Sequence, residues 1–564
     1  MAGNIKLSSS VPAVELGPAE QRESSQIFAR RKGLLATLEW SVVGTLAIFI
    51  IFGFGLRVSK LGAIGFAEDE MNKLDAVRAY QHRDISANAE HPMLLKALMF
   101  LSLTSAGRGG GPDMLSDEFA LRLPNAIFGA LTVIPLFLLT AAFFDRWTGL
   151  LAAGFWAVGI NAIAMNRVGK EDTLLVFFLL FAFYFYLRAK QTPPRNEKGK
   201  RRNYILSAAS FGLMLASKYF PHYFGLNALF HHHVHVRKSE PGEKGGTTPK
   251  IFFALIIVVF LIANPAVLLP QVWEYLNAYM GGQLLTHTGY LFGDHLYKNN
   301  MSSTPFWGTP LYFYVLFMAI KIPLLVLAAF AVGFFISLKR WRHPGHAFLL
   351  FMFLFWIVPY SLIGAKWLRY SLSLMPFIYM LAAVGVVTLV GFLSSVFKNH
   401  KQAPVVISGA AIVIFMIVPA WTAYANNPHY ALYTNALGAD KAGYYFPHDE
   451  FYDDGLREAI KFVSDTAPQG AVIAHETPAV TRYYLERFSR TDLKSQAMSA
   501  PDFDPASLTR PIYVIIQRGR TYFENRDKLV FIRANFSKAH EVSINGLTAA
   551  EVFIRPKEAL PPGK

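Results

Sequence analysis

The chain has no cysteine among its 564 residues, which excludes disulfides, thiolate metal sites and cysteine nucleophiles and leaves the redox compartment open. Charge is also scarce: 16% of residues are charged, against 53% apolar. With a positive mean hydropathy, this composition excludes a disordered chain and an ordinary set of soluble domains. Acidic residues are outnumbered, 38 to 54 Lys and Arg, for a formal charge of +16. In a soluble protein that balance would suggest nucleic acid. Here the cations fall mostly in short loops between apolar runs, so membrane orientation explains them and no nucleic-acid partner is expected. What the chain has in abundance is long charge-free runs. Leu123 to Phe144, Trp147 to Asn166, Ile251 to Val272 and Tyr370 to Phe397 are each long enough for a bilayer span of roughly 20 residues.

The order of these runs sets the expected organisation. Residues 1–33 are polar and end in Arg30, Arg31 and Lys32, ahead of an apolar run near 35–56; they read as a disordered cytoplasmic tail followed by an uncleaved signal anchor. Ten further runs, at about 123–144, 147–166, 173–187, 204–217, 219–236, 251–272, 311–338, 347–365, 370–397 and 403–424, predict eleven spans within 34–424. Lys218 divides 204–236 into two short runs. Counting them as two puts the basic loops at 188–202, 237–250, 339–342 and 398–401 all on the cytoplasmic face. The same parity puts 58–121, 167–172, 271–308, Lys366 to Arg369 and everything after 425 outside. The segment 425–564 reads as a small extracytoplasmic α/β domain, with a helix over Phe451 to Thr466 opened by Asp453 and Asp454, buried strands at Ala471 to His475 and Ile512 to Gln517, and a last alternating run ending at Glu551 to Arg555.

Ionisable residues concentrate in the first outer loop: Glu68, Asp69, Glu70, Asp75, Asp84 and Glu90, then His91, Pro92 and Lys96, with apolar residues at helical spacing between them. That pattern suits amphipathic helices lying on the membrane with carboxylates turned to an aqueous pocket at headgroup depth; a solvated loop of idle charges is the bland alternative.

Two strings in this loop, Phe66-Ala67-Glu68-Asp69-Glu70 and Glu90-His91-Pro92-Met93-Leu94-Leu95-Lys96, resemble the Asp-Glu and His-Pro-Pro-Leu-Gly-Lys motifs of polyprenyl-phosphate-sugar glycosyltransferases. The nearest types are the protein O-mannosyltransferases and the lipid A aminoarabinose transferases, which share the GT-C membrane fold. Asn166-Arg167 with Asp172-Thr173-Leu174, Gly212 to Tyr219, Lys321-Ile322-Pro323 and Arg369-Tyr370 with Pro376 resemble later elements of the same pattern, so the resemblance runs over about 35–395. Met93 and Leu95 depart from the motif's second proline and glycine. The C-terminal segment does not resemble the lectin-like loop of eukaryotic mannosyltransferases.

The resemblance implies a GT-C-like α-helical polytopic membrane protein that moves one sugar, mannose or a related hexose, from a polyprenyl phosphate carrier to an extracytoplasmic hydroxyl on protein, glycan or lipid. The expected setting is a bacterial-type inner membrane. Transfer from a lipid phosphate needs a base for the acceptor proton and cations for the departing phosphate, and no general acid. Asp69 is the expected base, with inversion at the anomeric carbon, and Glu70 would orient it or the acceptor. Arg167, Lys218, Lys321 and Arg369 lie at outer ends of apolar runs and are the expected phosphate ligands; interface snorkelling is the alternative for each. Lys321 follows twenty uncharged residues inside a continuing run, so it needs a partner or water. Glu90, His91, Lys96, Asp172, Tyr370 and His295 are the expected substrate contacts, His295 within an aromatic, Gly-punctuated segment 271–308 that suits a sugar lid as well as an interface belt. No cofactor is required. Glu90, His91 and Asp172 could hold a divalent cation or form a plain hydrogen-bond cluster, and the His231, His232, His233, His235 tract reads as loop chemistry rather than a metal site. A transporter or flippase is the competing function, but its mid-membrane charges and internal repeats are not evident in the sequence. A receptor using 425–564 needs no acidic first loop.

Overall fold

A helix satisfies its own backbone polar groups, which lets an uncharged run cross lipid, and each predicted run is mainly helical over its described residues. The structure, a computed structural model, describes residues 39–107, 116–193, 195–234, 250–281, 288–301, 303–507 and 511–555. The expectations for the tail 1–33, His235 and the basic residues of 237–249 lie outside the described residues. Residues 1–48 and 49–564 form two compact units; in the first, the described residues 39–48 are helical.

By length and composition, six described helices can cross a membrane: Glu39–Val58, Asp117–Phe143, Asp172–Gln191, Pro344–Leu362, Met375–Val396 and Ala403–Ala425. Arg146–Val158 and Ile160–Asn166 make a seventh if counted as one span bent by 56°. Among the other runs of the eleven, Glu197–Ser217 is a 21-residue helix whose first turns carry Glu197, Lys198, Lys200, Arg201 and Arg202, and the rest are shorter or interrupted helices: His222–Leu229 running into Phe230–Val234, Lys250–Ala263, and Phe313–Lys321 followed by Leu324–Lys339. The chain also breaks helix at Lys218, where the sequence placed its division. One apolar helix, Met93–Gly107, was assigned to the outer loop 58–121. Its mean composition is span-like, but the charged motif before it masks it.

Two helix breaks show how membrane-depth backbone is satisfied. At Gly159 a Cβ would meet the Tyr379 hydroxyl at 2.1 Å, so only glycine fits the bend. The Arg57 guanidinium donates there to the carbonyls of Trp156 and Ala157, at 3.1 Å each. At Ile322-Pro323, Asn435 donates to the carbonyls of Ala319 and Ile322, both at 2.7 Å.

The C-terminal segment forms an α/β domain around a five-stranded sheet in the order β4-β3-β5-β7-β6, with β3 Val472–His475, β4 Lys494–Ala497, β5 Ile512–Gln517, β6 Ser537–Ile544 and β7 Leu547–Ile554; β1 Tyr290–Phe292 and β2 His295–Tyr297 form a separate hairpin. Strand β3 runs parallel to β4 and β5, while β7 is antiparallel to β5 and β6. Asn545 and Gly546, both with positive φ, make the tight β6-β7 turn that this dipeptide favours. Side chains alternate between the two faces. Ile473, Tyr513 and Ile515 pack against Leu456–Thr466 and Pro478–Arg487, whereas Val472, Val514 and Ile516 pack against Leu529 and Ile532 of Arg526–Asn535. Both strands expected from sequence are there, fully buried. The helix expected from Phe451 instead begins at Leu456, because Tyr452, Asp453 and Gly455 all take positive φ.

The first-loop helix Glu68–Gln81 does not present its apolar face to lipid. Phe66, Met71, Leu74 and Val77 share one core with Leu456, Ile460, Val480 and Tyr484 of the C-terminal domain. The buried side of this helix is mixed, with Glu70 and Lys73 beside Met71, Leu74 and Val77, and protein rather than lipid covers it. That shared core fixes the α/β domain over the carboxylate motif.

Candidate functional site

Asp69 sits in the first turn of Glu68–Gln81, a helix whose N-terminus is capped from two directions. The Glu70 carboxylate reaches back to Ala67 N–H at 3.1 Å, and Asp453 from the C-terminal domain accepts from Glu68 N–H at 2.9 Å. Asp69 keeps 31% of its side chain accessible. Three donors converge on its Oδ2: Lys170 Nζ at 2.8 Å, Arg369 Nη1 at 3.3 Å and the Tyr452 hydroxyl at 2.6 Å. Among the described residues none reaches Oδ1. Burial alone would raise the Asp69 carboxyl, but Lys170, Arg369 and Lys73 outweigh it and hold the group well below the usual carboxylate range. Burial lowers the Lys170 ammonium to about 8, with Asp69 opposing and Lys73 and Arg369 adding to the shift. Arg369, half-buried, is held above its ordinary value chiefly by Asp69, against the effect of desolvation.

Glu70 does not reach toward an acceptor. Its carboxylate accepts from Arg122 Nε at 2.8 Å and Nη2 at 2.6 Å, from Gly169 N–H at 2.8 Å and from Ala67 N–H, and is 1% exposed. It thereby ties the helix carrying Asp69 to the 167–172 loop that carries Lys170. This orients Asp69 through the backbone rather than through contact.

The four expected phosphate ligands separate. Arg369 faces Asp69. Lys218 is paired with Asp172 at 2.7 Å and lies 5.0 Å from the Tyr370 ring, on which Arg369 also packs at 5.6 Å. Arg167 instead donates to the carbonyls of Arg57 and Ser59 at 2.7 Å each and of Lys60 at 3.1 Å, so it caps the end of the first described helix. Lys321 has the partner its position demanded: Glu450 of the C-terminal domain at 2.6 Å, with the Ala431 carbonyl at 2.7 Å. A position at the outer end of a run was shared by all four. Only Arg369 and Lys218 combine it with the Asp69 neighbourhood.

Of the expected substrate contacts, Lys96 donates to the carbonyls of Ala87, Asn88 and His91 at 3.1, 2.6 and 2.9 Å and so shapes the motif loop from within. Glu90 accepts from Asn88, and His91 Nδ1 lies 3.8 Å from Glu171. His295 is exposed on β2 against Tyr297 and makes no described contact with the Asp69 cluster. Glu90, His91 and Asp172 therefore turn to different partners, and among the described residues no three His, Asp or Glu form a group that could hold a metal ion.

Sequence reading passed over Lys170, Lys73, Glu171 and Tyr452. Lys73 and Glu171 form an ion pair at 2.9 Å, both 1% exposed, packed next to Lys170. The one available signal was the density of charge in Lys170-Glu171-Asp172 within so short a loop. A cavity of about 80 Å³ borders Glu70, Arg122, Lys170, Arg369 and Tyr452 on the inner side of the cluster, too small for a sugar donor by the several hundred Å³ such ligands occupy.

Residues 114–269 match the family model described as dolichyl-phosphate-mannose-protein mannosyltransferase. That segment carries Arg122, Arg167, Lys170, Glu171, Asp172 and Lys218 and includes the Asn166-Arg167, Asp172-Thr173-Leu174 and Gly212 to Tyr219 strings, while the two first-loop strings lie outside it. Among solved structures the chain is similar to ArnT from Cupriavidus metallidurans bound to undecaprenyl phosphate, at 13% identity and a TM-score of 0.48, covering 92% of this chain and 99% of that one. It is also similar to the Archaeoglobus fulgidus oligosaccharyltransferase in the apo form, at 11% identity and a TM-score of 0.49, covering 84% and 69%. No curated protein matches it along the sequence.

Proposed function

We propose that the protein is an inverting glycosyltransferase that moves a single sugar from a polyprenyl phosphate to an acceptor hydroxyl outside the cytoplasm, with Asp69 as general base. The observation that carries this reading is the geometry at Asp69: a partly accessible carboxylate with Lys170 and Arg369 gathered on one oxygen and the other left open. In the reaction the acceptor oxygen bonds to the anomeric carbon, the bond from that carbon to the phosphate oxygen breaks, and its electron pair leaves with the phosphate. The acceptor proton passes to Asp69 Oδ1. The carrier phosphate gains one negative charge as the diester becomes a monoester, and Lys170 and Arg369 lie where they would stabilise it. One base and cations suffice, unlike the carboxylate pair of a glycosidase. The acceptor is a protein, glycan or lipid, and the setting is a bacterial-type inner membrane with the site on the outer face. Lys321, the one cation the sequence placed inside a continuing run, is paired with Glu450 of the C-terminal domain, which suits a structural role better than transport.

The test is Asp69→Asn, assayed by mass spectrometry with a panel of undecaprenyl phosphate mannose, glucose and galactose. The amide keeps the shape but cannot take a proton, so turnover falls about 10²–10⁴-fold while donor binding changes little. Wild-type turnover by Asp69→Asn would remove the reading's chemical basis.

A further inference from the structure

The segment that delivers Tyr452 is strained. Pro447–Phe451 ends in Tyr452 at φ 47°, ψ 50°, and Asp453 follows at φ 66°. Consecutive non-glycine residues in the left-handed region are unfavourable and persist only where the surroundings enforce them, most often at functional sites. Here the enforcement is visible. Asp453 accepts from Arg520 Nε at 2.7 Å, Gln517 Nε2 at 2.9 Å and Glu68 N–H, while Arg520 also holds Glu68. The turn is thus locked to the C-terminal sheet on one side and to the Asp69 helix on the other. Its product is one contact, the Tyr452 hydroxyl on Asp69 Oδ2.

The cations on Oδ2 are the ones a donor phosphate would attract. Once the phosphate draws Lys170 and Arg369 toward itself, the carboxylate loses two of its three holds. A neutral phenol does not follow the phosphate as a cation would. We propose that Tyr452 is a positioning residue for transfer: the C-terminal domain supplies it to keep Asp69 fixed through Oδ2, with Oδ1 open to the acceptor, after the cations turn to the phosphate. This rests on Asp69 being the base. Burial, and then Asp69 itself, hold the Tyr452 phenol well above its usual range, so it stays a donor. Asp69 is faced by Glu68 and Lys73 from its own helix, and by Lys170, Arg369, Tyr279 and Tyr452 from elsewhere; Glu70 faces Tyr452.

Tyr452→Phe in the full-length protein tests this, because it keeps the ring and the turn and removes only the hydroxyl. With the same three-donor panel, kcat is expected to fall about ten- to hundredfold, as for a lost hydrogen bond to a charged group, with donor KM and undecaprenyl phosphate affinity within about threefold. The acid limb of kcat should also move up by about one pH unit, because the lost bond favoured the charged form of Asp69. A structural role would lower the melting temperature without moving that limb. If the wild type turns over none of the panel, or Asp69→Asn is fully active, the base assignment fails and takes this inference with it. If Asp69→Asn is dead while Tyr452→Phe keeps wild-type kcat and an unmoved limb, the positioning role alone is overturned.

Discussion

Lys170 links the two halves of the proposed chemistry, and replacing it with methionine should change the pH profile at both ends. In the free enzyme its ammonium is lowered to about 8, and kcat/KM reports free-enzyme groups. Above that pH Lys170 is neutral and no longer helps to balance the phosphate, so wild-type kcat/KM for donor should fall as pH rises through about 8. Lys170→Met removes a charged hydrogen bond typically worth about 1.5–3 kcal/mol, roughly a ten- to 150-fold loss in donor kcat/KM at pH 7. It also removes the closest cation to Asp69, 2.8 Å from Oδ2. The same energy at about 1.36 kcal/mol per pH unit moves the acid limb up by about one to two units. Lys170→Arg should keep most of the activity and lose the limb near pH 8, since a guanidinium does not deprotonate there. The assay is initial-rate transfer from the donor panel between pH 4 and 10. If the limb near pH 8 persists in both variants, another group titrates there; wild-type kcat/KM in Lys170→Met would refute the assignment of Lys170 to the phosphate.

Glu70→Gln leaves the Arg122 guanidinium buried without its counter-charge, a loss that typically costs about 3–5 kcal/mol. The expected result is a markedly lower melting temperature with kcat within about threefold where the variant is folded; an unchanged melting temperature with lost turnover would instead put Glu70 against the acceptor. Ser489 is exposed, just past Pro478–Arg487, in a chain without native cysteine. Ser489→Cys should therefore react with a membrane-impermeant maleimide in intact spheroplasts, and protection until lysis would reverse the proposed orientation.

What the sequence disclosed depended on how local the cause was. Uncharged runs become helices because the backbone has no other partner in lipid, and β3 and β5 were readable because both faces of each strand are covered by apolar neighbours. Asp69 and Arg369 came from motif order, and the structure brings them together across 300 positions. The misreadings share a physical reason: a charge at the end of an apolar run looks the same whatever it faces. Arg167 meets helix-end carbonyls contributed 107 and more residues away, and Lys321 meets Glu450 across 129. Tyr452 was invisible because its value lies in a left-handed backbone that no tyrosine advertises. The Glu68–Gln81 pattern showed that one helix face is buried, but periodicity does not distinguish lipid from protein.

The resting arrangement also accounts for why the site is assembled from distant parts. Lys170 is buried and Arg369 half-buried, and a buried cation without an anion is strongly disfavoured. In the structure Asp69 is their anion. Donor binding on the proposed reading is thus an exchange of one anion for another, and the exchange restores basicity to Asp69 only when a phosphate is present to take the cations. An empty site then holds a weak base, and a loaded site a stronger one, which couples proton removal to donor occupancy. For that exchange to leave Asp69 in place, something uncharged must hold it. The shared core of Phe66, Leu74, Leu456 and Tyr484 brings the C-terminal domain close enough to do so.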